Sequence, residues 1–350
     1  MSIATLRSKL FVGGMIAFLM IAGLASSFIV LDGQKALAVG TDGFNHHPNV
    51  LISDQFNNRV IEVDRQQHIV WQFGTGDPSD CSPGPGHIIA PNDAERLGDG
   101  LTLIPGTGTS SCPDNRVIVV NESGQIVWQY GKAGVAGSGF DLLNVPVFAI
   151  QLPNHDIMIV DQANNRVIEV NKQKQIVWSY GPTKGPGALN NPNSAELLSN
   201  GHILIADENN SRVIEIDHAG HIVWQFSQGL NIVAFASRLP NGNTLIVDSG
   251  NNRVISVTPD GKMVFQYFTN KGKNSNANPN PTGAVRLSDG ELCVADQFND
   301  RIFVLNTNMQ IEFQYGMTNV VGNGPDQLNA PYSAVVIGDY TGVTPPPEHF

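Results

Sequence analysis

The sequence predicts an all-β fold in which one unit of four antiparallel strands is repeated six times. Short apolar runs, rich in Val and Ile, alternate with turn signals such as NG, DG and NN, which is typical of strands. Four such runs occur in each unit of roughly 40–50 residues, the size of a propeller blade. An arginine is also followed, twelve positions later, by a large aromatic residue at six places: Arg59/Trp71, Arg116/Trp128, Arg166/Trp178, Arg212/Trp224, Arg253/Phe265 and Arg301/Phe313.

The fourth unit shows most clearly how the strands, called a to d in chain order, are placed. Because side chains alternate between the two faces of a strand, Ile222, Trp224 and Phe226 share one face of strand d. The same stripe recurs in the other units, which predicts apolar packing between neighbouring blades. The four strands of this unit are expected near residues 193–198, 202–206, 212–217 and 221–226.

Strand a carries an alanine at the same point in every copy. A small side chain is expected there because the innermost strands crowd around an axis. The copy that contains Ala334 has no further strands after it, whereas the first unit, which begins near Val50, lacks a strand a of its own. The sequence therefore predicts a six-bladed β-propeller, closed by a C-terminal strand that completes blade 1. The alanines are Ala94, Ala149, Ala195, Ala236, Ala284 and Ala334.

Five of the six units contain a D-x-x-N-x-R pattern, which is seen most clearly in VDQANNRVIEVN, ADENNSRVIEID, VDSGNNRVISV and ADQFNDRIFVL. This pattern resembles the core of NHL repeats over roughly residues 49–337, and the resemblance implies a propeller that is commonly six-bladed. Blade 2 departs from it, with Ser111 in an enlarged hairpin where the other blades have aspartate. LPNGNTLIVD and PDGKMVFQY are also similar to arylsulfotransferase-type propellers. Both resemblances imply the fold, and neither implies one activity.

The charge of the chain excludes one class of partner. The 350 residues include 20 Lys+Arg and 31 Asp+Glu, a formal net charge of −11, and the basic residues are spread over the blades. We therefore expect no nucleic-acid partner, since nucleic-acid binding requires clustered positive charge. A monomer is also expected.

The first 40 residues are expected to form an export signal or an uncleaved N-terminal transmembrane anchor. Residues 10–31 contain no charge and are long enough to span a bilayer, and a small-residue cleavage site ends at Ala38. In both cases the propeller, residues 41–340, is predicted to be extracytoplasmic, either secreted or anchored, with membrane contact only through residues 10–31. The Pro-rich tail, residues 341–350, is expected to be solvated.

Two of the three cysteines are expected to pair. Cys81 lies in the connection from strand d of blade 1 to strand a of blade 2, and Cys112 lies in the b–c hairpin of blade 2. Both connections fall on one face of a propeller, so a Cys81–Cys112 disulfide is predicted, in agreement with export. Cys293 is expected to be a buried, small apolar residue.

A small polar set breaks the symmetry of strand a, where most equivalent positions are apolar, and it has two interpretations. The carboxylates and amides near the axis can hold a hard cation such as Ca²⁺ in the central channel, as six-bladed lactonases do, with Asp93, Glu95 and Glu196 as ligands. Alternatively, and this is the favoured interpretation, the set forms a water-filled channel whose charges are compensated by arginines, including Arg96. The set consists of Asn92, Asp93, Glu95, Asn193, Glu196, Arg238 and Arg286.

The connections from strand d to strand a are long and rich in Gly, Pro and Asn, and such loops on a rigid framework tend to carry binding function. We therefore favour a non-catalytic scaffold that presents this d–a loop face to a protein, a glycan or a small ligand. The alternative is a metal-dependent enzyme that uses the axial polar set, either a lactonase-type hydrolase or, against the distribution of histidines, a lyase or an arylsulfotransferase. The longest of these loops are residues 75–90, 131–143, 181–191 and 268–280.

Overall fold

A computed structural model describes residues 49–350 and confirms the predicted fold class. Six sheets of four antiparallel strands form the ring of a six-bladed β-propeller. The predicted export signal or anchor, residues 1–40, and its cleavage site at Ala38 lie outside the described residues. Within the described residues, no helix has the length and apolar character needed to cross a bilayer. The helices there are single 3-10 turns: Gln55–Asn57, Gly98–Gly100, Gln162–Asn164, Glu208–Asn210, Ser249–Asn251, Thr269–Lys271 and Gln297–Asn299.

The strands follow the predicted order a to d in every blade. Blade 2 has the shortest strand a, and blade 4 matches its predicted strands to within one residue. Blade 1 contains β24 (Pro331–Val336) as strand a, then β1 (Val50–Asp54), β2 (Arg59–Val63) and β3 (Ile69–Gly74). Blade 2 contains β4 (Glu95–Arg96), β5 (Thr102–Gly108), β6 (Pro113–Val120) and β7 (Ile126–Gly131); blade 3 contains β8 (Pro146–Gln151), β9 (Ile157–Asp161), β10 (Arg166–Val170) and β11 (Ile176–Tyr180). Blade 4 contains β12 (Pro192–Leu197), β13 (Ile203–Asp207), β14 (Arg212–Ile216) and β15 (Ile222–Phe226); blade 5 contains β16 (Val233–Arg238), β17 (Thr244–Asp248), β18 (Arg253–Val257) and β19 (Met263–Phe268). Blade 6 contains β20 (Gly283–Arg286), β21 (Leu292–Asp296), β22 (Arg301–Leu305) and β23 (Ile311–Tyr315).

The ring closes as predicted. Strand β24 pairs antiparallel with β1, with Val50 opposite Val336 and Ile52 opposite Ala334. The last strand of the chain therefore satisfies the backbone groups of the first, which removes the edge that an open ring would expose.

The aromatic residues of strand d pack between blades, as the stripe predicted. The indole Nε1 of Trp71 donates to the carbonyl of Glu122 in the next blade (3.0 Å), and Trp224 does the same to Pro259 (2.8 Å). Each Trp thus packs its half-buried ring against a neighbouring blade and satisfies its one polar group there.

The repeated aspartate and arginine hold the b–c turn, which joins strands b and c. In blade 4, Asp207 accepts hydrogen bonds from Nε of Arg212 (2.7 Å), from the side-chain amide of Asn210 (2.8 Å) and from the backbone N–H of Asn190 in the d–a loop (2.8 Å). The guanidinium of Arg212 also donates to the loop carbonyl of Ala188 (2.9 Å). The b–c turns and d–a loops therefore share one face, here called the upper face.

Blade 2 keeps this arrangement with a different residue. Asp114, inside the enlarged hairpin, accepts from Nε of Arg116 (2.5 Å) and from the backbone N–H of Ile89 (2.9 Å). The carboxylate is therefore supplied from a new position, two residues before the arginine, because the longer β5–β6 hairpin changes the path of the turn.

Candidate functional site

The strands a surround an axial cavity in the middle of the ring. Its volume is about 70 Å³, measured as the space that the centre of a water-sized sphere can occupy. One water needs about 10–15 Å³ on this measure, so the cavity has room for several waters or a small organic molecule. Apolar side chains form part of its wall, and the tilted rings of Phe148 and Phe235 lie 6.1 Å apart between their centres.

Three carboxyl groups line this cavity: Glu95 and Glu196 lie in strand a of blades 2 and 4, and Asp93 lies two residues before Glu95. All three are more than nine-tenths buried. One oxygen of Glu95 accepts the backbone N–H of Gln151 (2.7 Å). The carboxyl of Asp93 accepts from the side chain of Ser333 and from two backbone N–H groups. The sequence placed these residues near the axis, and the structure brings them into one cavity.

Burial controls the protonation of these groups. It raises the pKa of Asp93 to about 6 and that of Glu196 to about 8, because the low-polarity surroundings disfavour the charged form. The pKa of Glu95 lies well above its usual range for the same reason, and the negative charges of Asp93 and Glu196 raise it further. At neutral pH the cavity therefore carries less negative charge than three carboxylates would give, and a neutral carboxyl can donate a hydrogen bond.

The cavity ends at the upper face in a ring of hydrogen-bonded polar side chains, here called the upper mouth. The amide of Asn193 donates to the carboxylate of Glu208 (2.7 Å) and to the hydroxyl of Tyr332 (2.7 Å). The amide of Gln55 donates to Asn92 (2.7 Å), which also bonds Tyr332. Asn92 and Asn193, which were predicted to lie near the axis, therefore form part of the upper mouth.

Several residues of the upper mouth were not identified from the sequence. Tyr332 lies in the closing strand, at the position that Asn92 and Asn193 occupy in their own blades. The others directly follow the repeated aspartate of the b–c turn. In four blades a glutamine or glutamate follows that aspartate, and this repeated long polar side chain could have indicated the upper mouth from the sequence. The four residues are Gln55, Gln162, Glu208 and Gln297.

The predicted charge compensation by arginines was wrong. Arg238 lies over the ring of Trp224 (4.9 Å) and pairs with Glu215 (2.6 Å) in the preceding blade. Arg286 lies over Phe265 (4.7 Å) and donates to a turn carbonyl. These arginines sit two residues after the strand-a alanine, on the face of the strand opposite to Glu95 and Glu196, so they point into blade interfaces.

Arg96 follows the same pattern. It lines the cavity, but its guanidinium lies over Trp71 (4.7 Å) and forms an ion pair with Glu62 of blade 1. Among the described residues that line the cavity, Arg96 is the only basic one. Among residues 49–350, the carboxyl groups of the cavity thus have no arginine partner.

The predicted Ca²⁺ ligands do not form a ligand set. Within residues 49–350, no group of three or more His, Cys, Asp or Glu side chains has an arrangement that could hold a metal ion. Asp93, Glu95 and Glu196 use their oxygens instead to accept hydrogen bonds from backbone and hydroxyl groups of the ring. Their donor set does not fit the Ca²⁺ requirement of six or more oxygens around one point.

The opposite end of the cavity, at the lower face, is covered by the Pro-rich tail. The expectation that this tail is solvated was wrong. Val343 and Thr344 line the cavity, and Thr344 is buried. Both the backbone N–H and the hydroxyl of Thr344 donate to Glu196 (2.9 and 2.8 Å). The tail has no repeat signal, so only its contacts reveal its position.

Cys81 and Cys112 form a disulfide with a Cα–Cα distance of 5.0 Å. It joins the first d–a loop to the enlarged hairpin of blade 2 on the upper face. Cys293 is a free, buried thiol in β21, whose pKa burial raises to about 12. Burial therefore keeps this thiol protonated and unreactive.

No protein-family model and no curated protein matches the chain. Solved structures resemble it in fold. A protein of unknown function from Bacteroides caccae is 13% identical, covers 82% of this chain and 98% of its own, and has a TM-score of 0.59. Virginiamycin B lyase from Staphylococcus aureus is 15% identical over 81% of this chain and 87% of its own, with a TM-score of 0.51. A catalytically inactive variant of that lyase, with quinupristin, is 14% identical over 83% and 89%, with a TM-score of 0.52.

These identities are low, and the likeness shows the fold alone. The class of protein is therefore the β-propeller, and membership of the NHL family stays a prediction.

Proposed function

We propose that the protein is an extracytoplasmic, NHL-like propeller that binds a small organic ligand, neutral or positively charged, in its axial cavity. The observation that carries this proposal is a buried, partly apolar cavity with carboxyl groups on its wall and no cationic head group among them. Pockets of this kind, mostly apolar with a few convergent polar groups, are the usual form of ligand sites.

The charge on the wall selects the ligand. An anion would meet the ionised carboxylate of Asp93 without a counter-charge, which is costly in a low-polarity cavity. A neutral hydroxyl compound can accept a hydrogen bond from a protonated carboxyl, and an ammonium group can pair with an ionised one. The apolar rings of Phe148 and Phe235 suit the body of such a ligand.

Two features support the proposed location outside the cytoplasm. Disulfides persist mainly in oxidising compartments, and the chain has one between Cys81 and Cys112. The uncharged run at residues 10–31 is the second feature, on the sequence alone. The d–a loops surround the upper mouth through their bonds to the b–c turns, and we propose that the ligand enters between them.

Acid–base catalysis in the same cavity is the second candidate function. The pKa of Glu196 is raised to about 8 and that of Asp93 to about 6, so one carboxyl is protonated where the other ionises. Two carboxyl groups with separated pKa values are a common arrangement of a general acid and a general base. This candidate requires no metal, unlike the lactonase-type hydrolase considered from the sequence.

A matched set of probes tests the binding proposal. Benzylamine, benzyl alcohol and benzoate share one ring and differ in charge. We expect calorimetry at pH 7 to show binding of the first two and about tenfold weaker binding, or none, for benzoate, because a desolvated like-charge contact costs at least about 1.4 kcal/mol. Asp93→Asn should reduce the preference for benzylamine over benzyl alcohol, because burial raises the pKa of Asp93 only to about 6 and this carboxyl is ionised at pH 7. The double variant Glu95→Gln with Glu196→Gln should change that preference less, since burial keeps both carboxyl groups protonated at this pH.

Glu122→Gln is the control, since Glu122 is exposed and does not line the cavity. It should leave all three affinities unchanged. Equal affinity for benzoate and benzylamine, or binding of none of the three, would contradict the proposed ligand class. Turnover of a benzyl ester that disappears in the double Gln variant would favour the catalytic candidate.

A further inference from the structure

We propose that residues 342–350, here called the plug segment, form an intramolecular plug that closes the lower mouth of the axial cavity and can leave it. The plug makes the cavity accessible from the upper face alone, and its release opens a second entrance. This inference goes beyond ligand binding, because it concerns access to the cavity and holds for any occupant.

The inner contact of the plug is made by Thr344. Its hydroxyl and its backbone N–H both reach one oxygen of Glu196 (2.8 and 2.9 Å), and the backbone N–H of Leu197 donates to the hydroxyl (3.0 Å). Val343, the preceding residue, lines the cavity and packs against its apolar core. The plug therefore completes the wall next to Glu196 and satisfies a buried carboxyl there.

The outer contact is made by the last two residues. The ring of Phe350 lies edge-on to Trp128 (6.4 Å between ring centres), and the ammonium of Lys172 lies over the same ring (5.1 Å). His349 contacts the carboxylate of Asp99 (2.9 Å) through its imidazole, and its carbonyl contacts the imidazole of His155 (3.0 Å). These groups belong to blades 2 and 3, so the plug segment crosses the lower face from blade 4.

The connection between the two contacts is weak, which makes release feasible. Pro345, Pro346 and Pro347 have no N–H to donate, so this stretch adds no backbone ladder. An open groove lies beside Val343, Thr344 and Pro345, and its volume on the same measure as the cavity is about 630 Å³. Release of the plug segment breaks the contacts of Val343, Thr344 and Phe350 but no strand pairing of a blade, so its free energy should lie well below that of global unfolding.

Gly98 offers a selective handle on the plug. A methyl group added at Gly98 would overlap the backbone carbonyl of Glu348, while the φ angle of Gly98 is not in the left-handed region. Gly98→Ala should therefore displace the plug without straining its own turn. Gly84→Ala is the matched control, because an added methyl at Gly84 meets no atom within 4 Å and its φ is also ordinary.

The test measures access to an introduced thiol in the full chain. Ile150 lines the cavity and is buried, so Ile150→Cys places a thiol on its wall. The native cysteines are either paired, Cys81 with Cys112, or fully buried, Cys293. With methyl methanethiosulfonate, a small neutral reagent, entry through the upper mouth sets the labelling rate in Gly84→Ala, and the second entrance in Gly98→Ala should raise that rate at least about twofold.

Hydrogen exchange at the amide of Leu197 gives an independent readout, since that N–H donates to Thr344. It should accelerate in Gly98→Ala, while amides of the central strand β13 stay protected. If Gly98→Ala fails to fold, Thr344→Val removes the hydroxyl at nearly constant shape and should give the same changes to a smaller degree.

Equal labelling rates and equal Leu197 exchange in Gly98→Ala and Gly84→Ala, with both variants folded, would overturn the plug. Neither readout uses a ligand. Failure of the benzyl probes to bind would therefore contradict the proposed function and leave the plug intact, and the reverse also holds.

Discussion

The b–c turns and the axial wall both bury carboxyl groups, but they surround them differently. Asp207 in a turn has an arginine, an asparagine and a backbone N–H as donors. Glu196 on the axis has Thr344 of the plug segment and no cation. The aspartate–arginine pair of the turn recurs in all six blades, whereas the contact of Glu196 with the plug segment is made in blade 4 alone among the described residues. Repetition thus marks the residues that build the ring, and departure from it marks those that form the site.

The largest expected effect comes from breaking one copy of the turn. Asp207→Ala leaves Arg212 without its ion-pair partner and Asn190 without its acceptor. We expect the free energy of unfolding in urea to fall by about 3–5 kcal/mol, because a buried charge loses its partner. Asp260→Ala, in an exposed turn, should change it by less than about 0.5 kcal/mol. A loss at Asp207 no larger than at Asp260 would show that the repeated pair is not structural.

Glu196 should behave in the opposite way and depend on pH. Its pKa is about 8 in the folded protein and 4.5 as an ordinary group, so the unfolded chain ionises first as pH rises. The contribution of Glu196 to the free energy of unfolding is therefore greatest below about pH 4.5, and this contribution is lost as the pH rises to about 8. Between pH 5 and pH 9 the free energy of unfolding should drop by about 2–4 kcal/mol through Glu196.

Glu196→Gln should flatten that part of the pH profile, measured by urea unfolding at each pH. The profile of Glu122→Gln should remain that of the parent protein, since Glu122 is exposed. A parent protein whose stability rises from pH 5 to pH 9, with no change in slope in Glu196→Gln, would contradict the assignment of a buried, unpaired carboxyl.

The smallest effect is expected from an arginine between blades. Arg286→Met keeps most of the side chain over Phe265 and removes its charge. The cation–π contact is partly exposed, so the loss should be about 0.5–1 kcal/mol in the same urea measurement. Because Arg286 points away from the cavity, the order of affinities among the three benzyl probes should not change. A reversal of that order would indicate that Arg286 faces the axial cavity and would contradict its position between blades.

The sequence located the polar positions of strand a but not the direction of each side chain. Asn92, Asp93, Glu95, Asn193 and Glu196 meet around one cavity because strand a lies innermost in every blade. The arginines at the end of the same strands were assigned to the axis as well. Which face of strand a meets the channel depends on how neighbouring blades pack, and no single repeat contains that information.

The sequence by itself determined the number of blades, the order of strands and the closure of the ring, because these follow from local spacing repeated along the chain. The tertiary structure alone decided that Arg238 and Arg286 turn into blade interfaces, that Asp114 replaces the missing aspartate of blade 2, and that the plug segment reaches Glu196. Each of these depends on contacts between residues distant in sequence, whose partners are fixed only after the ring has closed.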